Sequence, residues 1–220
     1  FPGVGNNFSF FSVKKEKSNY NKTKVLCKYK TKLYESDIDM DIDCFPLLVT
    51  DETINIMKKT VFDKSLNKYD IKWDSYLHAF TKKKLMVAER DDNHTFLLHH
   101  TNHIKYWSEI PHRNQNEWKI LIPRSSYYEK MFINIGDGTT QGMGYLICKD
   151  EEECQNVKRI LSCKLYRFVV NITRWGNWNS QDIIYLLPKL DIDNDWTDNN
   201  IYKYFNLSDK EIKIIESVIK

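Results

Sequence analysis

Six consecutive residues, Arg174-Trp175-Gly176-Asn177-Trp178-Asn179, bring one guanidinium, two indoles and two carboxamides together around a glycine. These are the groups that grip phosphates, stack on bases and hydrogen-bond to base edges. Just before them, Leu165, Phe168, Val169 and Ile172 recur at the three-and-four spacing of an amphipathic helix. The spacing predicts a buried helix that delivers the hexapeptide as an exposed loop. Two tryptophans at a helix end are equally compatible with core packing; their exposure separates the two readings.

Other segments offer the same chemistry. Arg124-Ser125-Ser126-Tyr127-Tyr128 follows directly on NEWKILIP, the most convincing strand pattern in the chain. Lys82-Lys83-Lys84, Lys105 with Tyr106-Trp107, and Thr139-Thr140-Gln141 add charge, rings, hydroxyls and an amide. Lys83 and Lys105 are the candidate phosphate contacts among the lysines. Each segment taken alone is also an ordinary surface-loop composition.

Rival chemistries fail on spacing. Phe1-Pro2-Gly3-Val4-Gly5 imitates a glycine-rich cofactor loop, but such a loop follows a strand and opens a helix, whereas FSFFSV, a strand pattern, comes after it. No Asn/Asp-Pro-Pro-Tyr/Phe tetrapeptide is present to hold a target amine, so the sequence offers no cofactor-binding or catalytic residues for methyl transfer. His99 and His100 are neighbours on a predicted strand and point to opposite faces, so HHTNH is not read as a metal site. Asp191, Asp193 and Asp195 alternate like a calcium loop but lack its glycine and its closing glutamate. Asp209-Lys210-Glu211 resembles a nuclease carboxylate motif only in spelling, because it sits in a helix cap.

The 220 residues suffice for a proper core, and 41% apolar content excludes a disordered chain. No stretch is long and apolar enough to cross a membrane. Five cysteines without a C-x-x-C pair read as reduced thiols, which points to an intracellular setting, cytoplasmic, nucleoid or viral. Net charge is only +3, yet eight lysines between Lys14 and Lys32 face a single acid, Glu16, and residues 35–43 alternate acids with apolar residues.

Several elements position these groups. Residues 1–13 read as a turn and a strand, and KVLCKYK as the next strand, followed by an acidic connector to Cys44. Thr50 caps a predicted helix with Asp51 and Glu52 in its first turn and Ile54, Met57 and Val61 as the stripe that docks on a sheet. KLMVAE and HTFLLHH look like a hairpin about residues 90–93, while residues 130–135 and 143–148 flank the polar turn 136–142. Asp150 with Glu153 predicts a capping box for a helix buried through Cys154, Val157, Ile160 and Leu161. Two short helices follow Pro188, the second capped by Ser208 with Glu211 and buried through Ile212, Ile215 and Ile219. The fold class expected is α+β, mostly antiparallel.

Nearly end to end, the chain resembles the C-terminal half of adenine-specific DNA methyltransferases of type II restriction-modification systems, particularly forms carried by large DNA viruses and phages. FPGVGNNFSFFSV is similar to the last strand region of the catalytic domain, and FPLLVTDETINIMKKT to the start of the target-recognition domain. WKILIPRSSYY, the block from Thr139 to Asn177, and WTDNNIYKYFNLSDKEIKIIE are similar to its later segments. The resemblance implies a catalytic-domain edge and linker at 1–43, a recognition domain at 44–188 and a helical tail at 189–220. It implies that Arg124, Ser125, Tyr127, Thr140, Gln141, Arg174, Trp175, Asn177 and Trp178 face double-stranded DNA while a catalytic methyltransferase domain or subunit, holding S-adenosylmethionine, modifies a flipped adenine. Because the catalytic motifs fall outside the match, the resemblance implies that the chain is a fragment, a subunit of a split enzyme or a relic used only for binding. A structural or protein-interaction domain derived from such an enzyme, or part of a restriction endonuclease, is the alternative.

Overall fold

The computed structural model describes residues 22–39 and 42–219. The strand expected in 1–13, the FPGVG pentapeptide and the first part of the lysine run lie outside them.

Strands β1 (Thr23–Tyr29) and β2 (Lys32–Ile38) form an antiparallel hairpin with Thr23 opposite Ile38 and Tyr29 opposite Lys32. The first falls where its pattern puts it. The second corrects the reading of residues 35–43 as a connector, because the acid–apolar alternation is itself a strand period. Glu35 and Asp37 stand across from Leu26 and Lys24, and Lys24 Nζ lies 2.5 Å from Glu35, so part of the basic run is neutralised inside the hairpin.

Helix α1 (Asp51–Lys59) starts where expected, with Thr50 and Thr53 closing a capping box and Asp51 and Glu52 in the first turn. Its Ile54 packs with Ile38 and Val49 beneath the hairpin, whereas Ile56 and Met57 enter the main core. Strands β3 (Met86–Val87), β4 (Phe96–His99), β5 (Lys105–Ser108), β6 (Trp118–Pro123), β7 (Phe132–Asn134), β8 (Gly138–Thr139) and β9 (Met143–Cys148) follow. Then come helices α2 (Glu151–Leu161), α3 (Lys164–Ile172), α4 (Gln181–Tyr185), α5 (Asp198–Tyr204) and α6 (Asp209–Val218).

One sheet runs β3-β5-β4-β8 and another β7-β6-β9. KLMVAE and HTFLLHH do not pair with each other: β5 lies between them and hydrogen-bonds to both. The 90–93 turn is real, closed by Asp91 accepting from the N–H groups of Asn93 and His94, but it connects strands that are not neighbours. The polar turn 136–142 contributes β8, which pairs with β4 in parallel; the other strand pairs are antiparallel. The molecule is thus α+β and mostly antiparallel.

Strand β6 is the centre of the second sheet, with Ile120, Leu121 and Ile122 fully buried, and α2 packs on it through Cys154, Val157, Ile160 and Leu161. Asp150 caps α2 by accepting from Glu153 N–H at 2.8 Å, but Glu153 reaches back to Lys149 N–H at 2.7 Å, one residue beyond the N-cap that the expected box requires. Leu165, Phe168, Val169 and Ile172 of α3 are completely buried, as their spacing demands. Ile201 and Tyr202 of α5, Phe205 just after it, and Ile215 and Ile219 at α6 join the same core, and Ser208 with Glu211 closes the second capping box. Ile212 is only half-buried. Glu211 also meets Lys59 Nζ at 2.8 Å, tying the last helix to α1. No helix among the described residues is long and apolar enough to cross a membrane.

Candidate nucleic-acid interface

Helix α3 stops because Thr173 turns its hydroxyl back onto the carbonyls of Val169 and Val170, at 2.8 and 3.2 Å. Leu47 N–H caps the carbonyl of Ile172, and Gly176 takes a positive φ of 70° that lets the chain reverse. The loop so formed does not stand alone. Buried Asn179 donates its side-chain amide to the carbonyls of Pro123 at 2.8 Å and Ser126 at 2.9 Å, and its backbone N–H to Arg124 at 2.8 Å. The 174–179 loop is thereby stapled to the segment that leaves β6.

Between the two segments each arginine rests on the other's ring. Arg124 lies over Trp178 at 5.1 Å and Arg174 over Tyr127 at 5.0 Å. Trp178 and Tyr127 are nonetheless 54% and 57% exposed, so neither is core. Arg174 donates to the carbonyl of Asn177 at 3.1 Å, while its Nε is buried without a partner. An open cleft of about 520 Å³ lies here, lined by Ser125, Ser126, Tyr127, Lys130, Arg174, Asn177 and Trp178. Planar rings, cations, hydroxyls and an amide thus face one space.

Because the Asn179 side chain makes two of the three bonds that join the segments and leaves the carbonyls of Pro123 and Ser126 unpaired when removed, Asn179→Ala should cost about 2 kcal/mol and loosen the cleft. The urea midpoint and the fluorescence of Trp178 would report it; an unchanged midpoint would refute the staple.

The expected site residues divide. Arg124, Ser125, Tyr127, Arg174, Asn177 and Trp178 come together. Trp175 is 41% exposed but anchored, its indole N–H donating to the carbonyl of Phe45 at 3.2 Å. Thr140 and Gln141 correct the expectation of a free contact turn. Thr140 is buried with its hydroxyl 2.6 Å from His100 Nδ1, and Gln141 accepts from Ala79 N–H at 2.9 Å. Lys83 and Lys105 are exposed but do not line the cleft. Lys130 does, and sequence reasoning missed it; its one signal was a position six residues past Arg124, at the end of the 3₁₀ turn Tyr128–Lys130.

A second polar cluster gathers around Tyr145 of β9. Asp74 accepts from Tyr145 OH at 2.5 Å and from Tyr76 N–H at 3.1 Å, and lies 3.4 Å from His112 Nε2. His112 Nδ1 accepts from Asn114 N–H at 3.2 Å, which places the ring proton on Nε2, facing Asp74. Burial pushes the Asp74 carboxyl up, but the hydrogen bonds from His112, Tyr145 and Tyr76 outweigh it and hold it well below the ordinary carboxylate range.

Nearby, His99 Nε2 lies 2.9 Å from Asp137, and fully buried Lys119 donates to the carbonyls of Gln115 and Asp137 at 3.2 and 3.0 Å. Burial pushes that ammonium down to about 8. These groups are committed to one another and hold turns in place. His99 and His100 face different partners, Asp137 and Thr140, as adjacent strand residues must. No three or more His, Cys, Asp or Glu side chains among the described residues are grouped to hold a metal ion.

No protein-family model matches the chain, and neither a curated protein nor a solved structure does.

Proposed function

We propose that the chain recognises double-stranded DNA through the cleft between 124–130 and 174–178. In this reading it is the target-recognition portion of an adenine-specific DNA methyltransferase. Methyl transfer and S-adenosylmethionine binding belong to a catalytic domain or subunit outside these residues, and the role requires an intracellular, DNA-bearing compartment. One observation carries the reading: two reciprocal guanidinium–ring stacks, whose rings are more than half exposed, stand beside Lys130, Ser125 and Asn177. Pre-stacked guanidinium groups keep hydrogen-bond donors in a fixed plane, which suits base edges and phosphates, while the exposed rings suit base stacking.

Selection from a randomised duplex pool at two salt concentrations, with sequencing of the bound fraction, tests this. The expected result is a short enriched motif whose affinity falls steeply with salt. Arg174→Ala should cost about 1–3 kcal/mol of binding and relax the motif at one position, and Trp178→Ala should weaken binding without relaxing it. Absence of salt-dependent binding, or wild-type affinity in both variants, would reject the cleft.

A second reading, a protein-interaction component, draws on Leu26 and Leu33, both exposed on the hairpin. Its mark would be a stable protein complex through that face with no duplex binding.

A further inference from the structure

Phe80 is the most exposed large apolar side chain among the described residues, at 77%, yet the turn that carries it is firmly built. His78 Nδ1 accepts from Phe80 N–H at 3.2 Å, and the carbonyl of His78 accepts from Lys82 N–H at 2.8 Å. The His78 ring also packs tilted against Phe80, with centroids 5.8 Å apart. On either side, Leu77 and Met86 are buried in one small core with Leu98. A fixed turn that presents a phenyl ring to solvent contrasts with the burial that a phenyl ring ordinarily seeks.

Lys82, Lys83 and Lys84 follow after Thr81, all exposed and with no acidic partner among the described residues. A single exposed phenyl ring beside three cations with no acidic partner among the described residues is poorly suited to an apolar protein groove. It matches a surface in which flat apolar layers alternate with anionic rails, which is the description of a nucleic-acid duplex.

The turn is also physically joined to the cleft. Gln141 Oε1 accepts from Ala79 N–H at 2.9 Å, and the carbonyl of the next residue, Gly142, accepts from Arg124 N–H at 3.2 Å. The Phe80 turn and the Arg124–Trp178 stack therefore hang from adjacent residues of one strand connection.

We propose that Phe80 is a wedge that inserts at a base step of the bound duplex, with Lys82, Lys83 and Lys84 on the flanking phosphates and Gln141 as the residue that positions the turn. This inference rests on the DNA-binding reading of the cleft and adds a second point of attachment that kinks the duplex. Insertion of an apolar side chain partly unstacks a step and bends DNA, and the bend brings further protein surface against it.

The test uses the full chain, the duplex selected from the random pool, and energy transfer between dyes at the two DNA ends. Wild-type protein should shorten the end-to-end distance. Phe80→Ala should abolish that change and lower affinity about tenfold, whereas Phe80→Leu, still a wedge, should keep most of both. Changing Lys82, Lys83 and Lys84 together to Gln should reduce the slope of log affinity against log salt by about 0.9 for each phosphate that is no longer neutralised. Gln141→Ala should weaken bending and Gln141→Glu, which keeps the acceptor for Ala79 N–H, should restore it.

Wild-type affinity and an unchanged bend in Phe80→Ala would overturn the wedge while the cleft reading stood, provided Arg174→Ala still weakened binding. Absence of duplex binding by the wild-type chain would overturn both.

Discussion

Replacing Asp74 by alanine should lower the unfolding free energy by about 3 kcal/mol and the melting midpoint by roughly 6–12 °C. The carboxylate is the acceptor at which three separate segments meet: Tyr76 N–H from its own turn, Tyr145 OH from β9, and His112 Nε2 from the turn before β6. Asn114 in turn donates to Tyr145 OH at 2.9 Å, so the network extends beyond the acid. Alanine leaves the His112 proton without its acceptor in a buried position and Tyr145 with no group to donate to. Leaving polar groups unpaired costs more than forming the bonds gains, so the loss should exceed that of an ordinary surface carboxylate.

The same acid sets a pH dependence whose sign follows from its depressed pKa. A carboxyl that ionises more readily in the folded state adds stability that is complete above its unfolded value of about 3.9 and disappears as pH falls through the folded one. Asp137 and Glu211 are depressed as well and contribute with the same sign. The difference between wild type and Asp74→Asn isolates the share of Asp74: it should be largest near neutral pH and shrink steadily below about pH 4. Urea midpoints measured at pH 7 and pH 3 decide the matter. Equal differences at the two pH values would show that the charge of Asp74 does not contribute.

Gly142→Ala should be comparably severe, at about 3 kcal/mol or more, and should also abolish duplex binding. A Cβ at this position would lie 2.0 Å from the carbonyl oxygen of His100, which is backbone and has no rotamer to escape into. The clash falls where the connection after β8 runs beside the end of β4, with Thr140 N–H on the carbonyl of His99 at 3.1 Å and the Thr140 hydroxyl on His100. Forcing these apart would move Gln141 off Ala79 and Gly142 off Arg124, so both proposed DNA-binding regions would shift.

Gly136→Ala is the matching control. Nothing lies within 4 Å of its Cβ, but its φ of 87° is unfavourable to side chains, so about 1 kcal/mol of strain with intact binding is expected. Binding measured at a temperature where both variants remain folded distinguishes the two effects. Full affinity in folded Gly142→Ala would show that the 140–142 connection does not position the proposed DNA-binding groups.

What the sequence determined by itself is local. Thr50, Asp150 and Ser208 announce helix starts because a cap bonds to N–H groups two or three residues away. The buried face of α3 is legible because Leu165, Phe168, Val169 and Ile172 repeat with the helix period, and the hexapeptide after it is legible as a loop because Gly176 breaks that period. The α+β class follows from the same two periods, 3.6 and 2.

Tertiary structure alone decided the partners. A strand period says which residues share a face and is silent on which strand lies alongside, so β5 could enter between β3 and β4, and β8 could pair with β4 in parallel. Exposed polar composition made Thr140 and Gln141 look like DNA-facing groups, but their hydrogen bonds run to His100 and Ala79, about forty and sixty residues away in the chain. Arg124 and Trp178 each stood out from residue type as candidates for nucleic-acid contact. That the arginine of one segment stacks on the ring of the other, with Lys130 beside them, depends on Asn179 closing a loop more than fifty residues long, and that closure is decided by the packing of β6 and α3 in the core between them.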